Sequence, residues 1–74
     1  MNQPINEIIA AERAKLGLTQ AQLAERVGIK REALSRIERG LHSPSIDTIG
    51  KIAAALGLEL TLKNTAQTRY KINP

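Results

Sequence analysis

The chain has 74 residues, no cysteine, a single aromatic (Tyr70) and a formal net charge of +4. That length allows one small domain, and the missing thiols exclude disulfide staples and thiolate metal sites. Hydrophobic residues make up 42% and are almost wholly Leu, Ile, Val and Ala, so the core must be aliphatic, which suits short packed helices, with self-association as the remaining source of buried surface.

The distribution of charge says more than its sum. Residues 1–27 hold three basic and three acidic groups, residues 28–43 four and two, residues 44–62 one and two, and residues 63–74 three and none. Positive charge is therefore concentrated at 28–43 and in the tail, as attraction to phosphates requires. The longest apolar stretch, Ile52 to Leu58, is too short to cross a bilayer. With no leader pattern at the start, a cytoplasmic protein is expected.

Residues 1–4 are polar and expected to fray. The apolar residues Ile5, Ile8, Ile9 and Leu16 favour one face of a first helix that Gly17 ends. Thr19 is an N-cap for the second helix, and Gln22 completes a capping box. Leu23, Ala24 and Val27 form its apolar stripe, and Gly28 stops it where a left-handed backbone is cheapest for glycine. A third helix from about Arg31 buries Leu34 and Ile37, leaving Lys30, Arg31, Glu32, Ser35, Arg36 and Arg39 pointing elsewhere. Two short helices across a Gly-containing turn, the second with a basic outer face, form the pattern of a helix-turn-helix. Gly40 closes that helix before the loop Leu41-His42-Ser43-Pro44. Ser45 caps a fourth helix, whose buried stripe is expected to be Ile46, Ile49, Ile52, Ala53 and Leu56, ended by Gly57.

After Gly57 the period falls to two in Leu58-Glu59-Leu60-Thr61-Leu62-Lys63, which reads as a strand with one dry face. No second strand is visible in the sequence, and a lone strand leaves its backbone unpaired. The simplest partner is its own copy across a two-fold axis, making Leu58, Leu60, Thr61 and Leu62 dimerisation residues. A fifth helix, or an extension of the fourth broken at Gly57, are the other readings. Residues 64–74 lack periodicity and are expected to form a flexible basic tail. Its Thr68-Arg69-Tyr70-Lys71-Ile72 segment either meets a partner protein, reaches along DNA or does nothing. The organisation expected is thus 1–4 frayed, 5–57 a DNA-binding domain, 58–63 a dimerisation strand and 64–74 a tail.

For a DNA reader, specificity comes from base edges and affinity from phosphates. Arg31 and Arg36 are the best base readers, since a guanidinium bonds O6 and N7 of guanine bidentately. Lys30 can read a base or hold a phosphate, and so can Ser35. Glu32 either accepts from cytosine N4 or, the favoured reading, pairs with Arg36 at i+4. Gln20, beside the free N–H groups of the second helix, can bind a phosphate or be an ordinary first-turn residue. Ser43 can reach a phosphate from its loop, and Arg39 offsets the helix dipole with a backbone contact to DNA open to it. His42, the only histidine, has no cysteine or carboxylate pair beside it, so a solvated residue or a phosphate contact outweighs a catalyst. No phosphate loop, nucleophile motif or metal-ligand spacing appears, so neither enzyme activity nor a cofactor is expected.

The run RAKLGLTQAQLAERVGIKREALSRIERG followed by SPSIDTIGKIAAALG closely resembles the Xre/phage-repressor helix-turn-helix family, through LTQ, LA, VGI, LSRIERG, PS and the closing ALG, over about residues 9–57. The resemblance implies an all-α, lambda-repressor-like domain of four short helices, the third entering the major groove as part of a homodimer. It implies DNA-facing positions from Lys30 to Arg36 and a glutamine at Gln20 that binds phosphate and braces a base reader. It also implies a structural pair between Arg13 and Glu38. The strand LELTLK directly after ALG is similar to HipB-like antitoxins. That likeness implies a C-terminal β-strand paired between subunits, a palindromic operator, and a HipA-like Ser/Thr kinase toxin as partner in a toxin–antitoxin operon. Without the toxin, the same module would be an ordinary repressor, or an adaptor that uses the fold without DNA.

Overall fold

The computed structural model describes residues 4–63 and 69–73. Its elements are α1 (Ile5–Lys15), α2 (Gln20–Val27), α3 (Arg31–Glu38), α4 (Ile46–Ala55), β1 (Glu59–Lys63) and β2 (Arg69–Asn73). Of the frayed terminus expected at 1–4, only Pro4 falls within the described residues, and Thr68 of the tail lies outside them. No described helix is long and apolar enough to cross a membrane.

One local device closes every helix. A glycine stands at the C-cap of α2 and directly after the C-cap of the other three, and the aliphatic residue after that glycine donates its N–H five residues back: Leu18 to Arg13, Ile29 to Ala24, Leu41 to Arg36 and Leu58 to Ala53, at 2.8–3.2 Å. This closure satisfies carbonyls that the last turn would otherwise leave free. It also turns the chain sharply, so that consecutive helices meet around one core.

The core is small and aliphatic. Ile9 of α1, Leu23 of α2, Leu34 of α3, and Ile49 and Ile52 of α4 are fully buried, so each helix contributes at least one side chain. Such a side chain contributes roughly 1.5–3 kcal/mol relative to exposure. Helix α2 packs against both α3 and α4, and α1 packs against α3.

Two stripe assignments need correction. Leu16 is 53% exposed and Ile46 is 48% exposed. Both have the right helical phase, but Leu16 caps the end of α1 and Ile46 begins α4.

The C-terminal segment needs a larger one. Strand β1 forms, but it is not alone. It pairs antiparallel with β2 of the same chain, with Leu60 opposite Ile72, Thr61 opposite Lys71 and Leu62 opposite Tyr70. The tail therefore does carry a period of two, in Arg69-Tyr70-Lys71-Ile72-Asn73, and the register sets its two apolar residues against two leucines. Strand β1 lies along α4, and β2 lies near α1. Leu58, just before β1, packs on the helical core of its own chain.

Candidate nucleic-acid interface

The presentation of α3 is set by the turn before it. Thr19 Oγ1 accepts from the Gln22 N–H at 3.0 Å, while Gln22 Oε1 accepts from the Thr19 N–H at 2.8 Å, which fixes the start of α2. Gly28 ends α2 at φ +84° and ψ +30°, a conformation a Cβ would strain by about 1–2 kcal/mol. Two residues later Lys30 caps α3 in an extended conformation, and its side chain makes no capping bond. The chain thus reverses in three residues, with α2 behind α3.

Burial then sorts the side chains of α3. Leu34 and Ile37 face the core at 0% and 2% exposure. Lys30, Arg31, Glu32, Arg36 and Arg39 are exposed, and Ser35 is half-buried on the same outer side. Arg31 Nη2 lies 3.7 Å from Glu32 Oε1, so the acid's ionic partner is its neighbour rather than Arg36. The i+4 spacing gives reach but does not choose the rotamer, and with both groups more than half exposed the pair is worth little. None of the side-chain hydrogen bonds among the described residues involves Lys30, Ser35, Arg36, Arg39 or His42.

The back of α3 is tied down instead. Glu38, whose side chain is 5% exposed, accepts from Arg13 Nε at 2.8 Å, from Arg13 Nη2 at 3.0 Å and from Gln20 Nε2 at 3.1 Å. Arg13 Nη1 also donates to the Leu18 carbonyl at 2.8 Å. One carboxylate therefore joins α1, α2 and α3. The hydrogen bond to Glu38 raises the Arg13 pKa, burial works against the rise, and the carboxylate's charge adds to it. A raised arginine pKa gives stability that is fully present below the ordinary arginine range and lost only as pH climbs through the raised value. Gln20 thus spends one amide N–H on the brace and keeps the other. Asn6 adds a link that the sequence did not signal: its Nδ2 donates to the Glu38 carbonyl at 3.3 Å.

Ser43 is exposed in the loop after α3, while Ser45 Oγ accepts from the Thr48 N–H at 3.2 Å and serves as the cap of α4. His42 borders a shallow hollow on α3 with Lys30, Glu32, Ala33 and Arg36. Nothing in the sequence placed it there, because the loop path is set by the closure at Gly40. For the dimerisation set, the side chains of Leu60, Thr61 and Leu62 lie outside the described residues.

Residues 9–63 match the helix-turn-helix family model. The chain belongs to that family, of the Xre/phage-repressor kind, and is a helix-turn-helix transcriptional regulator. It is 48% identical over 52 residues to an uncharacterized HTH-type transcriptional regulator of Methanothermobacter thermautotrophicus, covering 70% of this chain and 75% of that protein. It is 51% identical over 45 residues to antitoxin HicB 1 of Photorhabdus laumondii subsp. laumondii, covering 61% of this chain and only 29% of the relative. Among solved structures, SinR, the master regulator for biofilm formation, in complex with DNA superposes with a TM-score of 0.69 at 36% identity, over 73% of this chain and 87% of that one.

Proposed function

We propose that this protein is a sequence-specific repressor that binds a palindromic operator as a homodimer, inserting one α3 into the major groove at each half-site. The observation that carries this reading is the division of α3 into a clamped back and an unclamped front. Leu34, Ile37 and Glu38 fix the helix, while Lys30, Ser35 and Arg36 are left without scaffold hydrogen bonds on its outer side. Arg31 and Arg36 read guanine, and Lys30, Ser35 and Arg39 supply base or phosphate contacts. Glu32, only loosely paired with Arg31, is free to accept from cytosine N4. Ser43 and the remaining amide N–H of Gln20 meet phosphates from either end of the helix pair. Two copies of α3 would sit about 34 Å apart, one turn of the duplex.

Fluorescence anisotropy on a duplex from upstream of the protein's own gene, beside a random duplex of equal length, tests the reading. The upstream duplex is expected to bind tighter, and binding to both should weaken steeply with salt as counterions are released. Equal affinity for the two would favour an adaptor that uses the fold without reading DNA.

The finer reading makes the protein the antitoxin of a HipA-like Ser/Thr kinase. It is supported by LELTLK directly after ALG, and by likeness to a protein named as an antitoxin. Co-purification with a kinase-like product of the adjacent gene tests it, and failure to co-purify leaves a repressor with no toxin partner.

A further inference from the structure

Helix α3 is only eight residues long, too short to hold its own orientation, so that orientation is set by what grips it. Leu34 and Ile37 press it against the core, but apolar contact is non-directional and resists roll and slide only weakly. The Glu38 carboxylate is held by Arg13 and Gln20. A flexible side chain separates that carboxylate from the backbone, so those bonds fix the acid more firmly than they fix the helix.

One bond takes hold of the backbone itself. Half-buried Asn6 donates from Nδ2 to the Glu38 carbonyl at 3.3 Å, across 32 positions. Among the described residues it is the only side-chain hydrogen bond from another helix to the main chain of α3. The closing turn engages the Ser35, Arg36 and Ile37 carbonyls. Asn6 supplies a donor to the next carbonyl along, at the negative end of the helix dipole. The same amide packs against the closing turn, since a Cβ at Gly40 would come to 3.3 Å from Asn6 Nδ2. Asn6, Ile9 and Arg13 follow at spacings of three and four on one face of α1. That face therefore carries a hold on the α3 backbone, a core residue and a hold on the α3 carboxylate.

On the DNA-reading role proposed above, on which this rests, we infer that Asn6 is a positioning residue for base recognition. It touches no DNA; its bond to the Glu38 carbonyl fixes the roll and slide of α3, so that Arg31 and Arg36 meet their bases together. A bidentate guanidinium–guanine pair tolerates little misplacement, about 0.5 Å and 10–20°, and a rolling helix moves both arginines at once. Phosphate attraction depends on charge, which Asn6 lacks, and is indifferent to shifts that small. Asn6 thereby governs specificity and not general affinity.

The test compares the full chain with Asn6→Ala, Asn6→Asp and Ile52→Val. Anisotropy titrations, run well below every melt, give the ratio of affinities for the upstream and random duplexes. Asn6→Ala is expected to lower that ratio by about three- to tenfold, with random-duplex affinity within about twofold of wild type. Asn6→Asp puts an acid in the first turn of α1, where the dipole favours it, yet near pH 7 its carboxylate has no proton to donate. Its ratio is expected to fall at least as far, whereas a purely structural first-turn role would be served as well by aspartate. Ile52→Val trims a fully buried side chain of α4 and lowers the melting temperature by about 4–8 °C, much as loss of one hydrogen bond does. It is expected to keep the wild-type ratio within about twofold. Retention of the ratio in either Asn6 variant that folds, or an equal loss in Ile52→Val, overturns the inference and leaves the repressor reading standing. Unfolding of both Asn6 variants would make the residue part of the scaffold and overturn it as well. Replacing each base pair of the upstream duplex in turn locates the loss; confinement to one pair would mean that Asn6 touches DNA, which also overturns it. Equal affinity of the wild-type chain for the two duplexes would overturn both readings.

Discussion

Arg13 and Glu38, 25 positions apart in sequence, form a two-point pair with Nε to Oε2 at 2.8 Å and Nη2 to Oε1 at 3.0 Å. The carboxylate is nearly buried and the guanidinium largely so, at 5% and 19% side-chain exposure. Such a pair adds little net stability, but removing one partner strands the other.

Glu38→Ala is therefore expected to cost about 3 kcal/mol, and Glu38→Gln, which keeps hydrogen-bonding atoms, about 1–2 kcal/mol. In a domain of this size each kcal/mol lowers the melting temperature by roughly 4–8 °C, which circular dichroism would record. A Glu38→Ala melt within a degree or two of wild type would show that the brace is dispensable. The Arg13 side of the pair contributes equally across about pH 5–9, because its raised pKa lies far above that window.

Gly28→Ala tests the turn without touching any contact. A Cβ there meets nothing within 4 Å, and the whole penalty comes from φ +84°, about 1–2 kcal/mol. Gly40→Ala has a positive φ as well, but its Cβ also comes to 3.3 Å from Asn6 Nδ2. It is expected to cost more than Gly28→Ala in urea unfolding, because Asn6 must give up its bond to Glu38. The reverse order would place the closing strain elsewhere.

Arg36→Ala is expected to weaken binding to the upstream duplex by about 10- to 100-fold, the worth of one bidentate base contact. Random DNA should lose far less. Stability should stay within about 0.5 kcal/mol of wild type, since the side chain is exposed and makes no scaffold bond. Equal losses on both duplexes would make Arg36 a phosphate contact.

Thr61→Pro removes a ladder donor in the middle of β1. If the free edge of the hairpin joins two subunits, light scattering should report a monomer while the helical signal survives, because the fully buried core residues among those described lie in α1–α4. A variant that remains dimeric would place the interface on the helices.

The helix-turn-helix was legible because each of its boundaries has a chemical marker: Thr19 with Gln22 at one end of α2, Gly28 at the other, and Gly40 after α3. The outward set on α3 followed from the phase of Leu34 and Ile37. What stayed hidden depended on tertiary neighbours. Leu16 and Ile46 have the phase of core residues but stand at the end of α1 and the start of α4, where they are left exposed. Strand β2 has two apolar residues in five and becomes a strand only opposite β1. The bond from Gln20 to Glu38 spans 18 positions, and no local rule anticipates it.

The separation between the clamped and unclamped sides of α3 has an evolutionary consequence. Substitutions at Lys30, Arg31, Ser35 or Arg36 leave untouched the side-chain bonds that tie down the back of the helix, so, on the proposed DNA-reading role, a lineage can retune which operator it recognises while keeping the same chassis. Changes at Arg13, Gln20 or Glu38 would shift all the proposed reading residues together, and selection on a repressor of this kind should hold those three fixed while its targets drift.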